Sequence, residues 1–317
     1  MTMVELVPHR IATLVFSGGG MRAGPLYAGC LARLVQELPD LDYTSRHCTI
    51  RRVRGVSMGA IVALFVAMRV APEELCAFAM EVPNEAFMRW DFQNLLTHYG
   101  FNRAEGVQAL LTSLMQTHLR NPDPTFAALL EITGIALEVV ATDVERQSAV
   151  VFSPEATPQQ RVSEAVLAST AIPFFFAPRR IVTAVDARPH CCIDGAVTLN
   201  YPQHGLDPAT ALGFHVVVPP ARGSGDGPAA TGTGARYQGF LRFVWQFIRL
   251  LTSFGDAREY VIPTVRVPLP DDRQYIMALE PLDRANLISQ GHQSVVRFLA
   301  TATVVGRSKD AGTQTGP

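Results

Sequence analysis

A serine held between two glycines constrains this chain more than any other feature. Residues 54–64 read RGVSMGAIVAL, in which Gly55, Ser57 and Gly59 form the pattern Gly-x-Ser-x-Gly. Ile50 and Val53 precede it and helix-forming residues from 60 to 67 follow, so the segment reads as a strand, a sharp turn and a helix. A serine on such a turn is held with strained backbone angles, its hydroxyl exposed at a helix N-terminus. Both glycines are needed because a Cβ at either place would collide with the neighbouring strand or helix. Alone, the pattern marks either a nucleophile or an ordinary Gly/Ser turn, and the surrounding chain decides between them.

Upstream, residues 11–16 form an apolar, β-branched run that reads as a buried strand. It enters Ser17, Gly18, Gly19, Gly20, Met21, Arg22, Ala23 and Gly24, and a helix pattern follows over 26–38. Such a turn leaves consecutive backbone N–H groups free to face an anion, whether a phosphate or a transition-state oxyanion. The Gly-Lys-Ser/Thr ending of a phosphate loop is missing, and a plain tight connection is the bland alternative. Downstream, helices are expected over 72–80 and 103–119, a strand over 135–142 with its hairpin partner at 149–152, and a helix over 159–169. That helix runs into an aromatic loop with Pro173, Phe174, Phe175 and Phe176, either core packing or the wall of an apolar pocket; its position just ahead of the next motif favours the pocket. Strands at 181–185 and 191–193 follow, the second delivering Asp194, Gly195 and Ala196. An acid at a strand end faces a site or simply opens a turn.

The remainder reads as a strand at 212–218, a flexible Gly/Ala/Thr-rich loop at 221–236, an amphipathic helix at 237–254 carrying Trp245, an edge strand at 264–267, a long helix over 282–304 and a disordered tail at 306–317. The 237–254 helix either lies in a membrane interface or packs on the core. Strands alternating with helices predict a three-layer α/β/α sandwich with a mostly parallel central sheet, built as one domain over 11–305 behind an extension at 1–10. With 317 residues, 48% of them hydrophobic, the core is ample. A net charge of −1 gives no whole-protein attraction to nucleic acid. Five cysteines without CxxC spacing read as reduced thiols, so no metal site and no disulfide framework is expected. Glu5 and Pro8 precede any apolar run, and no run reaches the ~20 residues of a spanning helix. The expectation is a cytoplasmic chain that at most sits on a membrane surface.

Acyl transfer needs a nucleophilic oxygen, a base and backbone donors for an oxyanion, and the three motifs could supply all of them. No histidine motif accompanies them; His215 and His292 follow the acid in the order an α/β-hydrolase uses, but each is more simply an ordinary histidine. In order and rough spacing over about residues 13–202, the chain resembles the patatin-like phospholipase family. The family's Asp-Gly-Gly-Gly-x-Arg/Lys-Gly loop is similar to 17–23, its Gly-x-Ser-x-Gly to 55–59 and its Asp-Gly-Gly/Ala to 194–196; Ala141-Thr142-Asp143 and the segment 168–173 are softer matches. The resemblance implies a dyad without histidine or cofactor: Ser57 as nucleophile and Asp194 as its base. Gly18, Gly19, Gly20 and Met21 would form the oxyanion loop, with Arg22 stabilising it. Ser17 replaces the family's leading Asp, and Ala23 stands where Gly is usual, which would shift the loop if that position requires positive φ. The implied activity is hydrolysis of carboxylic esters in glycerophospholipids or related acyl lipids, with peripheral membrane contact. A soluble carboxylesterase or thioesterase, or a non-catalytic lipid-binding protein of the same fold, are the alternatives.

Overall fold

The computed structural model describes residues 4–87, 91–183, 188–217, 259–269 and 278–305, together with 244, 246–248 and 250–252. The first part of the chain supplies β1 (Val4–Leu6), β2 (Thr13–Phe16), α1 (Ala23–Glu37), β3 (Arg52–Val56), α2 (Met58–Ala67) and α3 (Pro72–Glu81). Then come α4 (Phe92–His98), β4 (Gly100–Asn102), α5 (Glu105–Leu119), α6 (Phe126–Thr133), β5 (Ala136–Asp143), β6 (Ser148–Phe152) and α7 (Val162–Ser169). The rest is β7 (Phe174–Phe176), β8 (Arg179–Ile181), β9 (His190–Asp194), α8 (Ala196–Leu199), β10 (Ala211–Val217), β11 (Thr264–Pro268), the final helix (Pro281–Thr301) and β12 (Ala302–Val304).

Every residue of β2 and β5 is buried, as expected of strands covered on both faces. The sheet runs β11-β10-β2-β3-β5-β9-β8, with β6 also on β5. From β11 to β5 all neighbours are parallel, whereas β6 and β9 run antiparallel to β5, and β8 to β9. The fold is thus α/β with a mostly parallel central sheet.

One consequence of the register places the site. Val139 and Val140 of β5 pair with both β3 and β6, and Ala141 pairs with both β6 and β9. A strand has two edges only, so β3 and β9 share one edge of β5, end to end. They run in opposite directions, so their C-terminal ends meet: Val56 stands opposite Val140, and Asp194 opposite Ala141, one position further on.

One face of the sheet carries the main core, where residues of α1, α2, α3, α5, α7 and the final helix form one buried apolar cluster. The other face carries two smaller clusters, Val56, Val140 and Ala196 beside Val15, Tyr201, Ala211 and Ile262. On that same face Glu138 is held by both Arg52 and Arg54, so the buried carboxylate is paired twice.

Several boundaries differ from the sequence reading, each for a physical reason. The aromatic loop contains β7, which pairs in parallel with β4. The expected strand at 181–185 is realised as β8, two residues earlier, because Arg179 and Arg180 pair with Cys192 and Cys191 at the sheet margin, where polar residues are tolerated. The final helix stops at Thr301, and Ala302–Val304, with β-branched Thr303 and Val304, pair with Val4–Leu6 of the expected extension. The segments 221–236 and 306–317, and Trp245, lie outside the described residues; within 237–254, Val244 and Ile248 are helical and buried. All five cysteines are free. Among the described residues no helix is long and apolar enough to cross a membrane.

Candidate active site

Ser57 links the end of β3 to the start of α2 with φ 53° and ψ −127°, a conformation that costs a non-glycine residue about 1–3 kcal/mol. The flanking glycines make the turn sterically feasible. A Cβ on Gly55 would lie 2.2 Å from the Gly59 carbonyl oxygen, and one on Gly59 would lie 2.4 Å from that of Ser17. The Ser57 N–H donates to Ser169 Oγ at 2.8 Å, and the Ser169 hydroxyl donates in turn to the Val140 carbonyl at 2.6 Å. Ser169→Ala removes the acceptor and strands a buried N–H, so it is expected to cost ~1–3 kcal/mol, read as a lowered urea midpoint with an unchanged slope.

The end-to-end placement of β3 and β9 brings Asp194 to the serine. Ser57 Oγ donates to Asp194 Oδ2 at 2.6 Å, across a sequence separation of 137 residues. Asp194 Oδ1 accepts the Ala196 N–H at 2.9 Å, and a Cβ on the intervening Gly195 would lie 2.2 Å from the Val140 carbonyl oxygen. Both side chains are buried. Burial pushes the Asp194 carboxyl up to about 7, against the opposing pull of the bonds from Ser57 and Ala196. Neither oxygen has a histidine partner among the described residues. His215 instead bonds the Tyr260 hydroxyl through Nδ1 at 2.8 Å and stacks on Tyr201, and His190 bonds Asp143.

The glycine loop lies beside the serine: a Cβ on Gly18 would come within 3.3 Å of Ser57 Cβ. The Gly18 N–H is taken by the Asn200 carbonyl, whereas the N–H groups of Gly19, Gly20 and Met21 have no acceptor among the described residues. Positive φ falls on Gly20, at 65°, and Ala23 already belongs to α1, donating to the Gly20 carbonyl at 3.1 Å. Alanine at 23 therefore leaves the loop undisturbed. Ser17 is not a vacant replacement for an acid either: its hydroxyl donates to the Gly18 carbonyl at 2.7 Å and accepts the Val216 N–H at 3.1 Å. Arg22 is buried at the start of α1.

Ser57 opens on a pocket walled by Met21, Met58, Ile61, Thr170, Ile172 and Phe176. Met21, Met58, Ile61, Phe87 and Val107 also line an adjoining cavity that reaches Leu75, Phe78 and Leu111 and is apolar throughout its surface. At its margin Arg284 donates to the carbonyls of Ala79, Met80 and Val82 and to Asn84 Oδ1, which fixes the end of α3 against the start of the final helix. Of the phenylalanines singled out in the sequence, Phe176 is on the pocket wall, Phe175 is buried edge-on against Phe101, and Phe174 faces solvent with φ 68°; Pro173 is half-buried between the helix and β7. Sequence reasoning missed Ser169, Met58, Phe87 and Val107, because a serine at a helix end reads as a cap and helical apolar positions read as core. No cluster of three or more His, Cys, Asp or Glu side chains among the described residues could hold a metal ion.

The comparisons with known proteins bear on this arrangement. A family model described as Patatin-like phospholipase matches residues 14–207. Over 206 residues the chain is 26% identical to an uncharacterised protein of Acanthamoeba polyphaga mimivirus, covering 63% of each. Over 201 residues it is 25% identical to the "Probable lipid hydrolase 463L" of Invertebrate iridescent virus 6, covering 62% of this chain and 64% of that protein. Each match thus spans less than two thirds of the relative's length. The crystal structure of VipD from Legionella pneumophila shares the fold, with a TM-score of 0.53 at 16% identity over 92% of this chain and 67% of that one. Since the matched residues take in the glycine loop, the serine turn and Asp194 together, this chain belongs to the patatin-like phospholipase family.

Proposed function

We propose that the protein is a lipid acyl hydrolase that cleaves carboxylic ester bonds of glycerophospholipids or related acyl lipids. The observation that carries the reading is the 2.6 Å bond from Ser57 to a buried carboxylate, in a pocket that leads into an apolar cavity. The name of the iridescent-virus relative supports the same substrate class.

Ser57 Oγ attacks the ester carbonyl while Asp194 Oδ2 takes its proton. An ordinary carboxylate is a poor base for an alcohol, but one raised toward 7 by burial is better matched to the task. The negative charge that develops on the carbonyl oxygen faces the unengaged N–H groups of Gly19, Gly20 and Met21 at the positive end of α1, with the charge of Arg22 nearby. As the tetrahedral adduct collapses, Asp194 returns the proton to the leaving alcohol, which departs and leaves an acyl group on Ser57. Asp194 then deprotonates a water that attacks this acyl-enzyme; the fatty acid leaves and Ser57 recovers the proton. The acyl chain occupies the apolar cavity behind Met21 and Met58.

The test is fatty-acid release from mixed phospholipid vesicles by the wild type, Ser57→Ala and Asp194→Asn. Ser57→Ala is expected to lower the rate by ~10⁴ or more while retaining the fold. Loss with Ser57→Ala but not with Asp194→Asn would refute the dyad. Hydrolysis of soluble esters without release from vesicles would make the protein a soluble esterase.

A further inference from the structure

The helix α4 buries none of its residues, although its sequence is FQNLLTH. Phe92 is 57% exposed, Leu96 81% and Tyr99, at its left-handed C-cap, 73%. Their spacing of four and three residues puts them on one outward stripe. The chain continues into β4, whose Gly100 stands opposite Phe174 of β7, itself 41% exposed. Phe174 holds φ 68°, a conformation a bulky side chain adopts only under constraint from its surroundings. Beneath the patch Phe92 rests edge-on against Phe101, and Phe101 against Phe175, so the exposed groups sit on an aromatic layer.

The patch adjoins the site through β7: the strand that turns Phe174 outward also sets Phe176 against the Ser57 pocket. Contiguous exposed apolar surface of this kind marks an interaction site in a soluble fold. Asp91 is already engaged as the N-cap of α4, and Arg103, which follows β4 directly, is exposed. Large apolar side chains with an exposed arginine at the end of β4, on a strand pair that also walls the Ser57 pocket, fit a lipid layer.

We propose that Phe92, Leu96, Tyr99 and Phe174 form a bilayer-docking surface. The four side chains enter the interfacial region of a phospholipid layer and hold the mouth of the Ser57 pocket against it. An acyl lipid then reaches the nucleophile without passing through water. The proposal rests on the lipid acyl hydrolase reading, and its test separates the two.

The full chain carrying Ser57→Ala is sedimented with vesicles of phosphatidylcholine and phosphatidylglycerol, with and without Leu96→Gln and Tyr99→Asn. Both positions are exposed, and asparagine is tolerated in the left-handed conformation of residue 99. The double change is expected to lower vesicle binding at least tenfold. In the active chain it should lower release from vesicles equally while hydrolysis of a soluble butanoyl ester stays within twofold. Unchanged vesicle binding would overturn the proposal. So would a wild-type dimer that the double change makes monomeric without affecting vesicle binding, since the patch would then be a contact between copies. Patch-dependent binding by a chain that hydrolyses no ester would uphold the docking surface and refute the enzymatic reading alone.

Discussion

Asp194→Asn is expected to abolish hydrolysis and, at the same time, to stabilise the protein above pH 7. The activity loss follows from the base: asparagine accepts no proton from Ser57, and a drop of ~10⁴ or more is the usual scale for such a group. The stability gain follows from burial. The Asp194 carboxyl is raised from 3.8 to about 7 in the folded protein, so the folded state holds this proton more tightly than the unfolded chain does. Its contribution is therefore fully present below pH 3.8 and is lost as pH rises through about 7. At about 1.4 kcal/mol per unit the ionised side chain costs on the order of 4 kcal/mol at alkaline pH. Asparagine avoids that cost while its oxygen still accepts from Ala196 and its amide donates to Ser57 Oγ. Melting temperatures between pH 5 and 9 check this: the wild type should fall across neutrality and the variant should not. Parallel curves would mean that the carboxylate is not held against its desolvation. The same group predicts an activity limb for the wild type that rises with pH around 7.

Gly29→Val should be the most destabilising single change on the helical face. A Cβ on Gly29 of α1 would lie 2.0 Å from the Ile288 carbonyl oxygen, and one on Gly291 of the final helix 2.1 Å from that of Leu26. The two helices thus meet backbone to backbone through paired glycines, and no rotamer relieves such contacts. The axes must separate, and α1 also carries the glycine loop at its N-terminus. A loss of ~3 kcal/mol or more is expected, read as the urea midpoint. Gly24→Ala is the control, since its Cβ would meet only the flexible Met58 sulfur at 3.3 Å. Equal midpoints for Gly29→Val and Gly24→Ala would show that the helices do not pack as described.

The parts of the site legible from the residues alone are those whose cause is local, while the pairing of Ser57 with Asp194 was implied only by the family resemblance. Gly55 and Gly59 are demanded by one turn, and the run of glycines after β2 by another, so a short window shows them. The meeting of Ser57 with Asp194 has no local cause. It depends on β3 and β9 sharing one edge of β5, which follows from pairings between residues far apart in the chain. The condition attached to Ala23 could not be decided from sequence for a related reason: a glycine pattern shows that positive φ is needed somewhere in the loop, and the structure assigns it to Gly20. The apolar cavity was invisible because Leu75, Phe78 and Leu111 have core-facing periodicity whether they face another side chain or a void. Residues 174–176 read as one aromatic wall because a three-residue strand is too short for its alternation to show. The structure separates them: Phe174, at φ 68°, is exposed, Phe175 is buried and Phe176 lines the pocket.

The backbone of Ser57 has a consequence for how this chain changes over generations. Glycine would occupy φ 53° and ψ −127° without strain, so folding alone favours glycine there, and on the proposed function it is turnover that retains serine. A descendant released from the need to cleave esters should therefore drift at residue 57 first, and toward glycine, while Gly55, Gly59 and Gly195 stay in place because the fold itself requires them.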